Sequence, residues 1–180
     1  MSVIVAAHDG PGEYALATDT YSVVNGLRVP SVKSASFNGG TWLVGWAGAS
    51  VEGAALAEHL QGLEPRELAD IEGALRAAYG HARSTVPRHP DVLGIDAHLL
   101  LVGPPGIVVL GSDGHVCWAP SRWAIGCGER VALGYVHGRE GTPVELVYGA
   151  VCAAAHLVEG CFGPPRVHSF STTEYTCPTT

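Results

Sequence analysis

Apolar positions along this chain follow the two-residue period of strands at first, switch to the three-to-four-residue period of helices, and then return. Ser2 to Ala7 is a short apolar run rich in β-branched residues, and the turn cluster His8-Asp9-Gly10-Pro11-Gly12 separates it from a second run, Tyr14 to Thr18, which predicts a hairpin. Tyr21 to Val24 meets an Asn25-Gly26 turn before Leu27 to Val32, and Ala35 to Phe37 reaches Asn38-Gly39-Gly40 before Thr41 to Trp46. The first quarter therefore reads as an antiparallel meander. After Gly48, Val51, Ala55, Leu60 and Leu63 suit one helix face; Pro65 and Glu67 open a second helix carrying Leu68, Ile71, Leu75 and Ala78. His98 to Val102, Gly106 to Leu110 and Val116 to Trp118 return to hairpins and predict a second sheet. Thr142-Pro143-Val144-Glu145 has the capping-box pattern with proline at the first helical position, and Val144, Val147, Val151, Ala154 and Val158 form the apolar face of the helix it starts. Val167 to Ser171 closes as a last strand. This segregated order of sheet, helices, sheet and helices favours two antiparallel sheets covered by helices over a parallel doubly wound fold. Residues 1–172 read as one domain, and 173–180 as a polar tail, loose or a contact arm.

Composition narrows the function classes. With 180 residues and 47% hydrophobic content, the chain has ample material for one core. Only 15% of residues are charged and the net charge is −7, so neither a nucleic-acid footprint nor attraction to an anionic membrane is expected. The apolar runs are too short to span a bilayer and the start lacks the basic stretch of a signal peptide, which leads us to expect a soluble cytoplasmic protein. Five cysteines without C-x-x-C spacing read as buried small hydrophobes rather than a disulfide framework. High Gly and Ala content with few charges suggests that partner subunits cover part of the surface.

The start of the chain carries the chemistry. A serine behind a removable Met1 would present both a nucleophile and, through its freed α-amine with a reference pKa of roughly 8, a base able to take the hydroxyl proton near neutral pH. Further along, Ala17-Thr18-Asp19-Thr20 is followed at short distance by Lys33, and Phe37-Asn38-Gly39-Gly40 leads into Leu43-Val44-Gly45-Trp46-Ala47-Gly48. Trp123-Ala124-Ile125-Gly126-Cys127-Gly128 precedes an Ala-rich helix. Together these segments, from Ser2 to about Phe170, resemble the proteasome β-subunit family and in particular the HslV peptidases, N-terminal-nucleophile hydrolases.

The resemblance implies a four-layer αββα sandwich, assembly into rings, peptide-bond hydrolysis in a shielded chamber, and an ATP-driven unfoldase as partner for polypeptide substrates. It implies Ser2 as nucleophile, Lys33 as the cation favouring the alkoxide, Asp19 as the residue holding Lys33, and the Gly45 amide as oxyanion donor. Cys127 stands where the family carries a serine that orients the terminal amine, and the family's supporting aspartate on the late helix falls on His156. Those two departures leave a non-catalytic assembly subunit open, and related folds that cleave small amides leave an amidase open. Cys152 and His156, four apart, could join Cys127 or Cys161 in a zinc site; the simpler reading is a packed helix, and no metal is expected. No phosphate loop or dinucleotide fingerprint occurs, so no cofactor is expected.

Overall fold

The computed structural model describes residues 2–10, 12–64, 68, 70–87 and 94–171. The opening hairpin forms as the alternation predicts: β1 (Val3–Asp9) pairs antiparallel with β2 (Glu13–Thr18), Ile4 opposite Thr18. Both strands are buried on both faces, and their alternation sorts the residues. Val3, Val5, Ala15 and Ala17 face one core, while Ile4, Ala6, Tyr14 and Leu16 face another.

The meander expected next is broken up. β3 (Tyr21–Val24) and β4 (Leu27–Pro30) make a separate two-stranded hairpin whose turn residues Asn25 and Gly26 have φ of 51° and 80°. The chain then crosses to a different sheet through β5 (Ser34–Phe37) and β6 (Trp42–Gly48). Helix α1 (Ser50–Gln61) follows, then α2 (Ile71–Thr85), capped by Asp70, whose carboxylate accepts from the Gly73 amide at 2.9 Å. Pro65 and Glu67, the expected start of that helix, lie outside the described residues. Of the expected face, Leu60 is buried and Ala55 and Leu63 pack against the same core, but Val51 is 68% exposed, and Gly53, Leu56 and Ala57 are buried beside Leu60. Gly53 packs so closely on Trp46 that a side chain there would overlap the indole, which sets the face.

Strands β7 (Ala97–Gly103), β8 (Gly106–Leu110) and β9 (Val116–Ala119) do not build a sheet of their own. They extend β5 and β6 into a five-stranded antiparallel sheet of order β5-β6-β7-β8-β9. β10 (Arg122–Gly126) returns to β1, and β11 (Arg166–Ser171) pairs with β2, giving the four-stranded order β10-β1-β2-β11. Between them lie α3 (Glu129–His137) and α4 (Pro143–Leu157). The capping box is present: the Glu145 amide donates to Thr142 Oγ1 at 3.3 Å and the Thr142 amide donates to the Glu145 carboxylate at 2.9 Å.

Three apolar cores stack between four layers. Val147, Ala150, Val151 and Ala154 of α4 pack with Ala132 and Val136 of α3 on β1 and β2. Ile4, Leu16, Leu43, Leu100 and Ile107 fill the space between the sheets. Leu56, Leu60, Leu75 and Ala78 of α1 and α2 cover Val44, Leu99 and Leu101 on the far face. The chain is thus a four-layer αββα sandwich. No described helix is long and apolar enough to cross a membrane.

Candidate active site

Continuing the alternation of β1 back by one residue puts Ser2 on the side of Ile4, between the two sheets, at the end of the sandwich where β6 also terminates. Ser2 is 4% exposed and lines a cleft of about 570 Å³ together with Ala47, Gly48, His98, Cys127 and Glu129. Two glycines allow the chain to close around it. Gly126, at φ 96°, lies so near the Ser2 carbonyl that a β-carbon would overlap it, and Gly128, whose amide donates to the same carbonyl at 3.5 Å, would place a β-carbon 2.8 Å from that of Val3.

Asp19 follows directly on β2 and is fully buried. Its Oδ1 accepts the Val3 amide at 3.0 Å, and its Oδ2 accepts the Lys33 ammonium at 2.8 Å and the Phe162 amide at 3.4 Å. Lys33 is 2% exposed and also donates to the Tyr21 carbonyl. One carboxylate therefore ties the ammonium to the backbone of the residue next to Ser2. A buried pair of this kind, hydrogen-bonded also to the backbone, differs from a surface ion pair: each ion has lost its water, and each holds the other in place. The structure thus brings Ser2, Asp19, Lys33 and Cys127 to one end of the sandwich. The Cys127 thiol donates to the Ser2 carbonyl at 3.3 Å.

Two expected residues are elsewhere. Gly45 is buried, and its missing β-carbon makes room for the Ile4 side chain between the sheets. The Trp46 amide donates to the Lys33 carbonyl at 2.9 Å, so by strand alternation the Gly45 amide points the other way, towards β7, where Leu100 is its partner. Gly48 is exposed in the cleft, on the same strand edge as the Trp46 amide but beyond the first residue of β5, which stops pairing at Ser34 opposite Gly45. Its φ of 106° and its contact with the Asp96 backbone require glycine. Both glycines belong to the same Gly-x-x-Gly segment, and only the direction of each amide separates them. His156 is exposed in the last turn of α4 and does not line the cleft. The helix ends with its inner face occupied by Ala154 and Val158, which turns His156 outward.

Cys161, fully buried, lies directly behind Cys127. Its sulfur is 3.5 Å from that of Cys127, and burial first, then the Cys127 thiol, push its own ionisation well above the ordinary thiol range. Cys152, half-buried on α4, stands apart from the cleft lining, and no group of three or more His, Cys, Asp or Glu side chains suited to a metal occurs among the described residues. The N-termini of α1 and α3 both open on the cleft, through Ala49 and Glu129, and bring their partial positive charge to it.

The arrangement sets a buried serine at the mouth of a cleft and a buried Asp19–Lys33 pair one residue away, in an αββα sandwich. The same fold occurs in BPH of Thiobacillus denitrificans in complex with epoxomicin, with a TM-score of 0.78 and 18% identity over 95% of this chain and 98% of that one. It also occurs in the eukaryotic HslV of Trypanosoma brucei, with a TM-score of 0.71 and 16% identity over 94% of this chain and 99% of that one. No protein-family model and no curated protein sequence matches the chain. The likeness establishes the shared fold across nearly the full length.

Proposed function

We propose that this protein is a ring-forming, HslV-like peptidase subunit that hydrolyses peptide bonds with Ser2 after removal of Met1. The observation that carries the reading is the buried Asp19–Lys33 pair tied to the Val3 amide, one residue from the Ser2 hydroxyl. In the first step Ser2 Oγ attacks the scissile carbonyl carbon while the α-amine of Ser2 takes the hydroxyl proton. The carbonyl oxygen becomes an oxyanion facing the Gly48 amide and the N-terminal ends of α1 and α3; a donor of this kind contributes roughly 3 to 4 kcal/mol to the transition state. The protonated amine then passes its proton to the leaving nitrogen, the C–N bond breaks, and an ester on Ser2 remains. Water, with the amine again as base, cleaves that ester. Lys33 contributes its positive charge to the alkoxide, and Asp19 is a positioning residue for Lys33.

The neighbours of known fold support the reading, since one of them is described in complex with epoxomicin and another is an HslV. By the same analogy the subunit assembles into rings in the cytoplasm and receives polypeptide from an ATP-dependent unfoldase. The test is Ser2→Ala on processed protein, assayed on both peptide and small-amide substrates. Loss of peptide cleavage is expected. Unchanged hydrolysis refutes Ser2 as nucleophile, and turnover of small amides without peptide cleavage converts the assignment to an amidase. Cys127, in place of a serine beside the Ser2 carbonyl, favours one second reading, a non-catalytic assembly subunit. Stoichiometric labelling of Ser2 by an electrophile that needs both a hydroxyl and a free α-amine refutes that one.

A further inference from the structure

Cys127 and Cys161 lie 34 positions apart in sequence, yet their sulfurs approach to 3.5 Å at the end of the sandwich that holds Ser2. Their surroundings are opposite. Cys127 is exposed on the short link between β10 and α3 and lines the cleft, whereas Cys161 is fully buried behind it. Gly128 keeps the space between them clear, since a β-carbon there would stand 2.9 Å from the Cys161 sulfur. Cys127 also carries the thiol that hydrogen-bonds the Ser2 carbonyl, and the residue after Cys161 donates its amide to Asp19. The Cys127 sulfur therefore touches the Ser2 end of the candidate machinery, and Cys161 is one residue from the amide that holds Asp19.

We propose that Cys127 and Cys161 are a dithiol–disulfide couple, closed by hydroperoxides, that sets the reactivity of Ser2. The exposed Cys127 sulfur attacks the terminal oxygen of the hydroperoxide; the O–O bond breaks, the alcohol (water, from hydrogen peroxide) departs, and Cys127 becomes a sulfenic acid. The Cys161 sulfur then attacks the Cys127 sulfur, the S–O bond breaks, and the oxygen leaves as water with the Cys161 proton. Each turn thus oxidises two thiols, reduces one hydroperoxide and needs no other co-reactant. Closing the bond draws the sulfurs together by about 1.5 Å, a movement that rotation of the exposed Cys127 side chain can supply. The product has no S–H to donate to the Ser2 carbonyl. It also clamps the segment before α3 to the one after α4, on either side of Ser2 and Asp19.

This consequence for Ser2 rests on its proposed role as nucleophile; formation of the bond does not. The experiment treats the full chain with hydrogen peroxide, maps the products by mass spectrometry without reduction, and follows labelling of Ser2 by an N-terminal-nucleophile electrophile before and after dithiothreitol. The expected result is a mass lower by about 2 Da and two fewer maleimide-reactive thiols, with Cys127 and Cys161 in one cross-linked species. Ser2 labelling should slow at least about tenfold and recover on reduction. In Cys161→Ser, Cys127 should instead stop at a sulfenic acid that dimedone traps. The proposal is overturned if peroxide consumes other cysteines, or carries Cys127 to the sulfinic acid, without linking it to Cys161. If the link forms and labelling is unchanged, the coupling to Ser2 is overturned. If the link forms but reduced protein never labels, the couple stands and the peptidase reading fails.

Discussion

Removing the Lys33 charge alone should cost far more stability than removing both charges of its pair. In Lys33→Met the Asp19 carboxylate, fully buried, keeps only the Val3 and Phe162 amides and loses its counter-ion. Uncompensated burial of this kind costs about 3–5 kcal/mol. With a urea dependence of roughly 2 kcal/mol per molar for a chain of this size, the unfolding midpoint should fall by about 2 M. The double variant Asp19→Asn/Lys33→Met keeps an acceptor for the Val3 amide and leaves no charge behind. Its midpoint should lie within about 0.5 M of the parent, since a neutral replacement escapes the desolvation cost. Both variants should lose Ser2 labelling, because each lacks the cation. Denaturation by urea at one fixed protein concentration compares the parent with both variants, the fixed concentration being needed if subunits associate. A shift below about 0.5 M for Lys33→Met would refute the reasoning, since the pair would then behave as a solvent-screened surface contact.

Three further outcomes can be checked independently. His168, whose Nε2 lies 3.0 Å from Ser34 Oγ between the sheets, has its ionisation lowered by burial and then by the Arg166 charge. A depressed basic group contributes stability that is full above its unfolded pKa of roughly 6.5 and is lost as pH falls towards the folded value, so urea midpoints should drop on acidification more steeply for the parent than for His168→Gln. Thr142→Ala removes the acceptor for the Glu145 amide and should lower stability by about 1 kcal/mol in thermal unfolding, without changing Ser2 labelling. Gly45→Ala forces a methyl group against Ile4 between the sheets and should cost about 1–3 kcal/mol, read as a lower melting temperature; a neutral result would mean that the two sheets are not packed on each other at this point.

Local signals in the sequence carried much of the fold. The hairpin turns at Asn25-Gly26 and Asn38-Gly39, the Thr142 capping box and the apolar face of α4 were legible because each depends on residues within a few positions of one another. Which sheet each strand joins was not, since β10 reaches β1 across more than a hundred residues and β6 pairs with β7 across two helices. Local pattern is blind to such partners. On α1 only Val51 departs from the pattern, for a related reason: it looks like a core residue, but a glycine two positions on takes the contact with Trp46. In the candidate site, the convergence of Asp19 and Lys33 on the start of β1 follows the family-like spacing. Gly45 and Gly48 could not be told apart in one dimension, because the direction of an amide depends on strand register. The spacing that aligned His156 with an acidic support residue met a helix end turned to solvent. The pairing of Cys161 with Cys127 carried no local signal, since it exists only after two distant loops meet.

The central claim is that Ser2 is a free N-terminal nucleophile, and the most direct measurement is the intact mass of the natively expressed protein before and after reaction with an electrophile that needs a hydroxyl and an α-amine on one residue. The account predicts a chain lighter by one methionine that gains one label on Ser2, with no gain in Ser2→Ala. A chain that keeps Met1 in its assembled form and takes up no label would contradict it.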